Sequence, residues 1–176
     1  KEEDDEAGVP FSEKDLTILW KNQDDPVVEM ILIMCYSGFR IKAYTDMKID
    51  LENRCFIGGV KTKAGKERTV PIHSSIYSLV ANRADGSRNL LLARPGVFRK
   101  YMYTVLERLG IEKHTPHDCR HTFSVLCERY GVNENDRKRM LGHSFGGDIT
   151  NAKYGHRSLE ELRAEIEKIQ APDICC

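Results

Sequence analysis

The chain is 176 residues long, 40% hydrophobic and 31% charged, and its 27 basic and 27 acidic side chains cancel at pH 7. Length and composition fit one soluble domain with a tail, and they exclude a helical membrane span, since no apolar run nears the roughly 18 residues that a span needs. The six cysteines, Cys35, Cys55, Cys119, Cys127, Cys175 and Cys176, form neither a disulfide framework nor zinc pairs, so reduced thiols in a cytoplasmic setting are expected.

Neutrality hides a partition. Residues 1–30 carry net −7, residues 31–157 net +10 and residues 158–176 net −3. A basic body between acidic ends suits a partner that presents phosphates, although charge alone is also compatible with scatter over a solvated surface. The opening Lys1-Glu2-Glu3-Asp4-Asp5-Glu6 lacks the basic segment and apolar core of a signal peptide, and the missing initiator methionine points to a piece of a longer protein.

In chain order, residues 1–10 are expected to be a disordered or linking lead-in. Ser12 caps a first helix whose apolar face is Leu16, Leu19 and Trp20. Pro26 starts a second, buried helix to about Tyr36, closed by Ser37-Gly38. From Ile49 to Ile72 the pattern turns to strands, with residues 55–60 and 68–72 flanking an Ala64-Gly65 hairpin turn. Further helices are expected from Ser74 or Ser75 to Asn82, from Val97 to Leu109, from Thr115 as cap to Tyr130, and from Asn135 to Leu141. The last opens at Ser158-Leu159-Glu160-Glu161, a capping box, and runs to about residue 170 with Leu159, Leu162, Ile166 and Ile169 on one stripe. The expected class is α+β, mainly helical, with a small antiparallel sheet and a C-terminal tail helix.

Chemistry concentrates in Thr115-Pro116-His117-Asp118-Cys119-Arg120-His121-Thr122-Phe123, then Leu141-Gly142-His143-Ser144, then Tyr154. His117, Arg120 and His121 fall at i, i+3 and i+4 and so share one helix face, with Cys119, Phe123, Leu126 and Tyr130 on the buried side. An arginine fork with imidazoles a turn away clamps an oxyanion. The plainer alternative is a surface helix whose arginine pairs with Asp118 or Glu128. His117 and His121 also have metal-ligand spacing, but a guanidinium between them would repel a divalent cation, and no metal or other cofactor is expected. Upstream stand Ser37-Gly38-Phe39-Arg40 and the basic stretch Lys61-Thr62-Lys63-Ala64-Gly65-Lys66-Glu67-Arg68.

The ordered set Arg40, Lys63, His117, Arg120, His143, Tyr154 resembles the catalytic domain of tyrosine recombinases, above all integrases of phages and conjugative transposons. The resemblance runs from Pro10-Phe11-Ser12 to the terminal helix, and six positions in order are far more specific than any one. It implies site-specific DNA recombination, the integration and excision of a mobile element. Tyr154 would be the nucleophile that forms a 3′-phosphotyrosine. Arg40 and Arg120 would hold the non-bridging oxygens, His117 would serve as proton acceptor or donor, and His143 would donate to the phosphate. Lys63, with Lys61 as the alternative, would protonate the leaving 5′-oxygen. Lys66, Arg68, Arg99, Lys100, Arg137, Lys138 and Arg139 are expected to contact DNA.

The resemblance further implies double-stranded attachment sites as substrate, a tetramer on DNA joined through the C-terminal helix, and an accessory excision factor, with no membrane partner. The expected division is a lead-in at 1–10, a catalytic domain at 11–157 and a tail at 158–176 exchanged with a neighbouring protomer. Two departures stand out: Ala43 replaces the acidic residue common three positions after the first arginine, and Gly146-Gly147 lengthens the stretch before Tyr154. Type IB topoisomerase chemistry, or a non-catalytic DNA-binding regulator with this fold, are the alternatives.

Overall fold

The second helix organises the molecule because almost none of its surface is polar. In α2 (Pro26–Cys35) every residue from Val28 to Cys35 is buried. Helices α1 (Glu13–Lys21), α3 (Tyr77–Arg83), α4 (Pro95–Arg108) and α5 (Pro116–Arg129) pack around it. The computed structural model describes residues 8–59, 68–84, 90–91, 93–143 and 156–174. Each fully buried Ile, Leu or Met of α2 contributes roughly 1.5–3 kcal/mol by leaving water, so this helix anchors the core. Its one carboxylate, Glu29, is held by Arg83 Nη1 at 3.1 Å and Asn82 Nδ2 at 3.2 Å, and Arg83 also donates to the carbonyls of Leu90 and Pro26. A buried charge needs such partners.

The sheet is antiparallel in the order β1 (Lys48–Asp50), β2 (Cys55–Gly58), β3 (Arg68–Pro71). Phe56 faces Val70 and Gly58 faces Arg68 across the β2–β3 pair. Phe56 and Val70 are both fully buried, so the sheet lays one side on the helices. The expected strand pattern is present, shorter than anticipated, with Lys61, Lys63, Lys66 and the Ala64-Gly65 turn outside the described residues. Helix α3 begins later than expected, at Tyr77, because Ser74–Ile76 form a 3₁₀ turn first.

Helix α5 starts as anticipated, with Thr115 capping and Pro116 first. Asp118 completes the cap by accepting from Thr115 N at 3.1 Å, an anchoring role the sequence reading had not given it. Val9 N also donates to Asp118, and Phe11 N donates to Thr122 Oγ1 at 3.0 Å. From Gly8 onward, therefore, the lead-in lies on α5 rather than standing free of the domain. Helix α6 (Glu134–Leu141) follows, and α7 (Leu159–Ile166) closes the described chain. Leu162, Ile166 and Ile169 are buried against the body of this same chain, with α7 resting on β3.

Candidate active site

The turn after α2 fixes the first arginine. Gly38 takes a left-handed φ of +79°, and a Cβ there would stand 2.4 Å from the Phe123 ring. Ser37 Oγ donates to Ile33 O, so the Tyr44 hydroxyl donates to Ser37 Oγ at 2.6 Å and accepts from Phe39 N at 3.1 Å. Burial pushes the Tyr44 phenol pKa up, which keeps it protonated for this pairing. Ser37, Gly38 and Phe39 are thereby held from both sides, and Arg40 leaves the turn in a defined direction. Ala43, where an acid is common in the resembling family, is buried in the following turn, Ile41–Thr45.

Arg120 is not on a surface face. It is 2% exposed and its Nη1 donates to Gly38 O at 2.7 Å, which brings α5 to within two residues of Arg40. His117 and His121, expected on the same face, are half-buried. The buried stripe holds for Cys119, Phe123 and Leu126, while Tyr130 is only half-buried. Asp118 is engaged by His114 Nδ1 at 3.0 Å.

Arg68, expected to contact DNA, is half-buried. Its guanidinium lies 4.4 Å from the Phe39 ring centroid, and Phe39 is itself packed edge-on with Tyr44 and Phe56. Its Nε donates to Met140 O at 3.0 Å. Burial, then the like charges of Arg120 and Arg40, bring its pKa down to about 10, with Tyr44 acting in the opposite sense. Arg40 and Arg120 are thus near enough for their charges to act on Arg68. A signal was present in the sequence: Arg68 and Val70 are two apart in a strand, so the arginine points to the side that buries the valine.

His143 follows Gly142, the left-handed cap of α6 with φ +73°, and its N–H closes on Lys138 O at 2.9 Å. The remaining expected DNA contacts divide. Arg99 and Lys100 are exposed on α4. On α6, Arg137 donates to Ser124 Oγ at 2.8 Å, Lys138 lies 3.4 Å from Glu134, and Arg139 donates to Asp136 at 2.8 Å. Lys61, Lys63, Lys66 and Tyr154 lie outside the described residues, as does the Gly146-Gly147 stretch.

The family model described as the phage integrase family matches residues 21–161. The chain is a member of the phage integrase family. It is 30% identical over 163 residues to the tyrosine recombinase XerA of Saccharolobus solfataricus, covering 89% of this chain and 53% of that one. It is 25% identical over 154 residues to the tyrosine recombinase XerD of Vibrio cholerae, covering 76% and 50%. Among solved structures, the integrase from mycobacterium phage Brujita superposes with a TM-score of 0.70 at 19% identity, over 93% of this chain and 58% of that one. A XerA recombinase does so at 0.65 and 21%, over 89% and 63%. These likenesses establish the integrase catalytic-domain fold, mainly helical with a three-stranded antiparallel sheet, as the sequence had indicated. The chain spans about half the length of the curated relatives it matches.

Proposed function

We propose that this chain is the catalytic domain of a site-specific DNA recombinase that cuts and rejoins strands through a covalent 3′-phosphotyrosine. The observation that carries this is the bond from Arg120 to the Gly38 carbonyl, two residues before Arg40, in a chain that also holds His117, His143 and Tyr154 in the family's order. The two guanidiniums bind the non-bridging oxygens of the scissile phosphate and stabilise the charge that grows on them in the transition state. Tyr154 attacks phosphorus, the bond to the 5′-oxygen breaks, and Lys63 (or Lys61) returns a proton to that oxygen. His117 takes the phenolic proton and His143 donates to the phosphate. The phosphodiester is conserved as a phosphotyrosine ester, and attack by a 5′-hydroxyl of the partner strand reverses the step.

The substrates are double-stranded attachment sites of a mobile element, contacted by Arg99 and Lys100 on α4 and by the hairpin cations. One solved neighbour is described as the Tn1549 transposon integrase in complex with circular intermediate DNA, and another as XerH bound to difH substrate; those descriptions support DNA as the partner here. The working assembly is a tetramer on DNA in a bacterial cytoplasm, linked by exchange of the tail helix and directed by an excision factor. Exchange would have to release the contacts that α7 makes with its own chain.

The test is to incubate the chain, and its Tyr154→Phe variant, with nicked duplexes bearing candidate sites in chelator. A denaturation-resistant protein–DNA adduct from the parent and none from the variant supports the reading. DNA binding without any adduct favours the regulator, and relaxation of supercoiled plasmid by the monomer favours the topoisomerase.

A further inference from the structure

An arginine on the core side of a strand needs an explanation, because a guanidinium taken even partly out of water is costly unless it is bonded and neutralised, and Arg68 is half-buried. Arg68 is bonded: Nε reaches Met140 O at 3.0 Å and the fork covers Phe39. Among the described residues no carboxylate pairs with it. Its charged neighbours, Arg120 and Arg40, have the same sign and add to burial in lowering its pKa to about 10. The fold therefore sets Arg68 among like charges, an arrangement that an oxyanion would relieve.

Room for this side chain is made by two glycines. A Cβ on Gly59 would stand 2.3 Å from Arg68 Nη1, and one on Gly142 2.6 Å. Both have positive φ, +119° and +73°. Gly142 immediately precedes His143, so the glycine of Leu141-Gly142-His143 forms one wall of the slot that Arg68 fills. Through this slot a single side chain touches Phe39 beside Arg40, the end of α6 that carries His143, and the last described residue before the hairpin.

We propose that Arg68 is a positioning residue for an oxyanion site: it ties the His143 end of α6 to the Phe39–Arg40 turn and adds a third positive charge to those of Arg40 and Arg120. That the anion is a DNA phosphate rests on the function proposed above; the site itself does not.

Inorganic phosphate is the probe, read by thermal melting of the whole chain and requiring neither DNA nor turnover. The parent shows a saturable rise in Tm. Arg68→Gln removes the third positive charge and loosens the tie, and weakens the apparent affinity by about tenfold. Arg68→Lys keeps the charge and recovers most of that affinity. Gly142→Ala displaces Nη1 and weakens phosphate binding as Arg68→Gln does. Gly131→Ala has the same left-handed backbone, φ +72°, with open space at its Cβ, and leaves phosphate binding unchanged, which separates displacement of Arg68 from backbone strain. Unchanged affinity in Arg68→Gln, or a parent that binds no phosphate, overturns the proposal. On nicked duplexes Arg68→Lys binds DNA as the parent does but cleaves more slowly, because an ammonium cannot bond Met140 O and cover Phe39 together. A chain that binds phosphate through Arg68 yet forms no Tyr154 adduct counts against the recombinase reading alone.

Discussion

Gly38 carries two requirements that no other residue type meets together. Its carbonyl receives Arg120, and its α-carbon lies against Phe123, where a methyl group would stand 2.4 Å from the ring. Gly38→Ala adds left-handed strain to overpacking and is expected to cost about 3 kcal/mol in urea unfolding. Tyr44→Phe tests the same turn from the other side. It removes the acceptor of Phe39 N and the partner of Ser37 Oγ inside the core, and a loss of about 1–3 kcal/mol is expected from the stranded groups. Adduct formation should fall beyond what the stability loss explains, since Arg40 follows directly. The Gly-x-Arg turn was legible from sequence because glycine after an apolar helix marks a stop. The service of Tyr44 to it was not, because that depends on which hydroxyl the fold brings over the turn. Arg68 lies between these cases: strand alternation with Val70 carries a signal for its side, and only the packed structure supplies Phe39 and Met140.

At the scale of elements, α6 is the part whose sequence and structure diverge most. Its run of Arg137, Lys138 and Arg139 looked like a surface for phosphates. The structure engages Arg137 with Ser124 and Arg139 with Asp136, and counting charges cannot reveal such pairing. Asp136 is fully buried and also takes a two-pronged contact from Arg157, at 3.0 and 2.9 Å. Arg157 is three residues past Tyr154, while His143 leaves the other end of α6. The stretch bearing Tyr154 thus has both flanks on one helix. Arg157→Met would leave Asp136 buried with one fewer partner. The variant is expected to be less stable than the parent in urea unfolding. Adduct yield should drop while DNA affinity, measured by anisotropy, stays near the parent's. The helices themselves were largely legible, since caps such as Ser12 and Ser158 act locally and appear where they were expected.

For the molecule as a whole, the question is how firmly the tail is held. Glu167 accepts from Ser74 N and Oγ at 2.8 and 2.7 Å, Arg163 donates to the carbonyls of Asn53 and Arg54, and Glu165 accepts from Asn133 N at 2.8 Å. The Ser158 N–H and hydroxyl, and then Arg157, hold Glu161 below the usual carboxylate range. For Glu165, burial acts upward but Lys168 and the Asn133 N–H prevail, and its pKa is also lowered. An acid with a depressed folded-state pKa contributes stability that is complete above its unfolded value and lost as pH falls through the folded one. Acidification from about pH 5 towards 3 should therefore loosen α7 first. Hydrogen–deuterium exchange across that range should show its amides losing protection before those of α2, and simultaneous loss in both helices would refute the ordering. The sequence showed that the tail was amphipathic. It could not show which surface the stripe would cover, because a face complementary to its own body is equally complementary to another copy's.

Four of the groups that hold this tail belong to the main chain: the carbonyls of Asn53 and Arg54 and the N–H groups of Ser74 and Asn133. Main-chain groups survive substitution of the side chains beside them. The receiving surface can therefore drift through evolution and keep much of its polar grip, provided that its apolar floor is maintained. Under the tail exchange proposed above, two diverged copies of such a protein in one cell would remain able to accept each other's tails, and separation between them would have to be enforced elsewhere, at the DNA sequence each one is proposed to read.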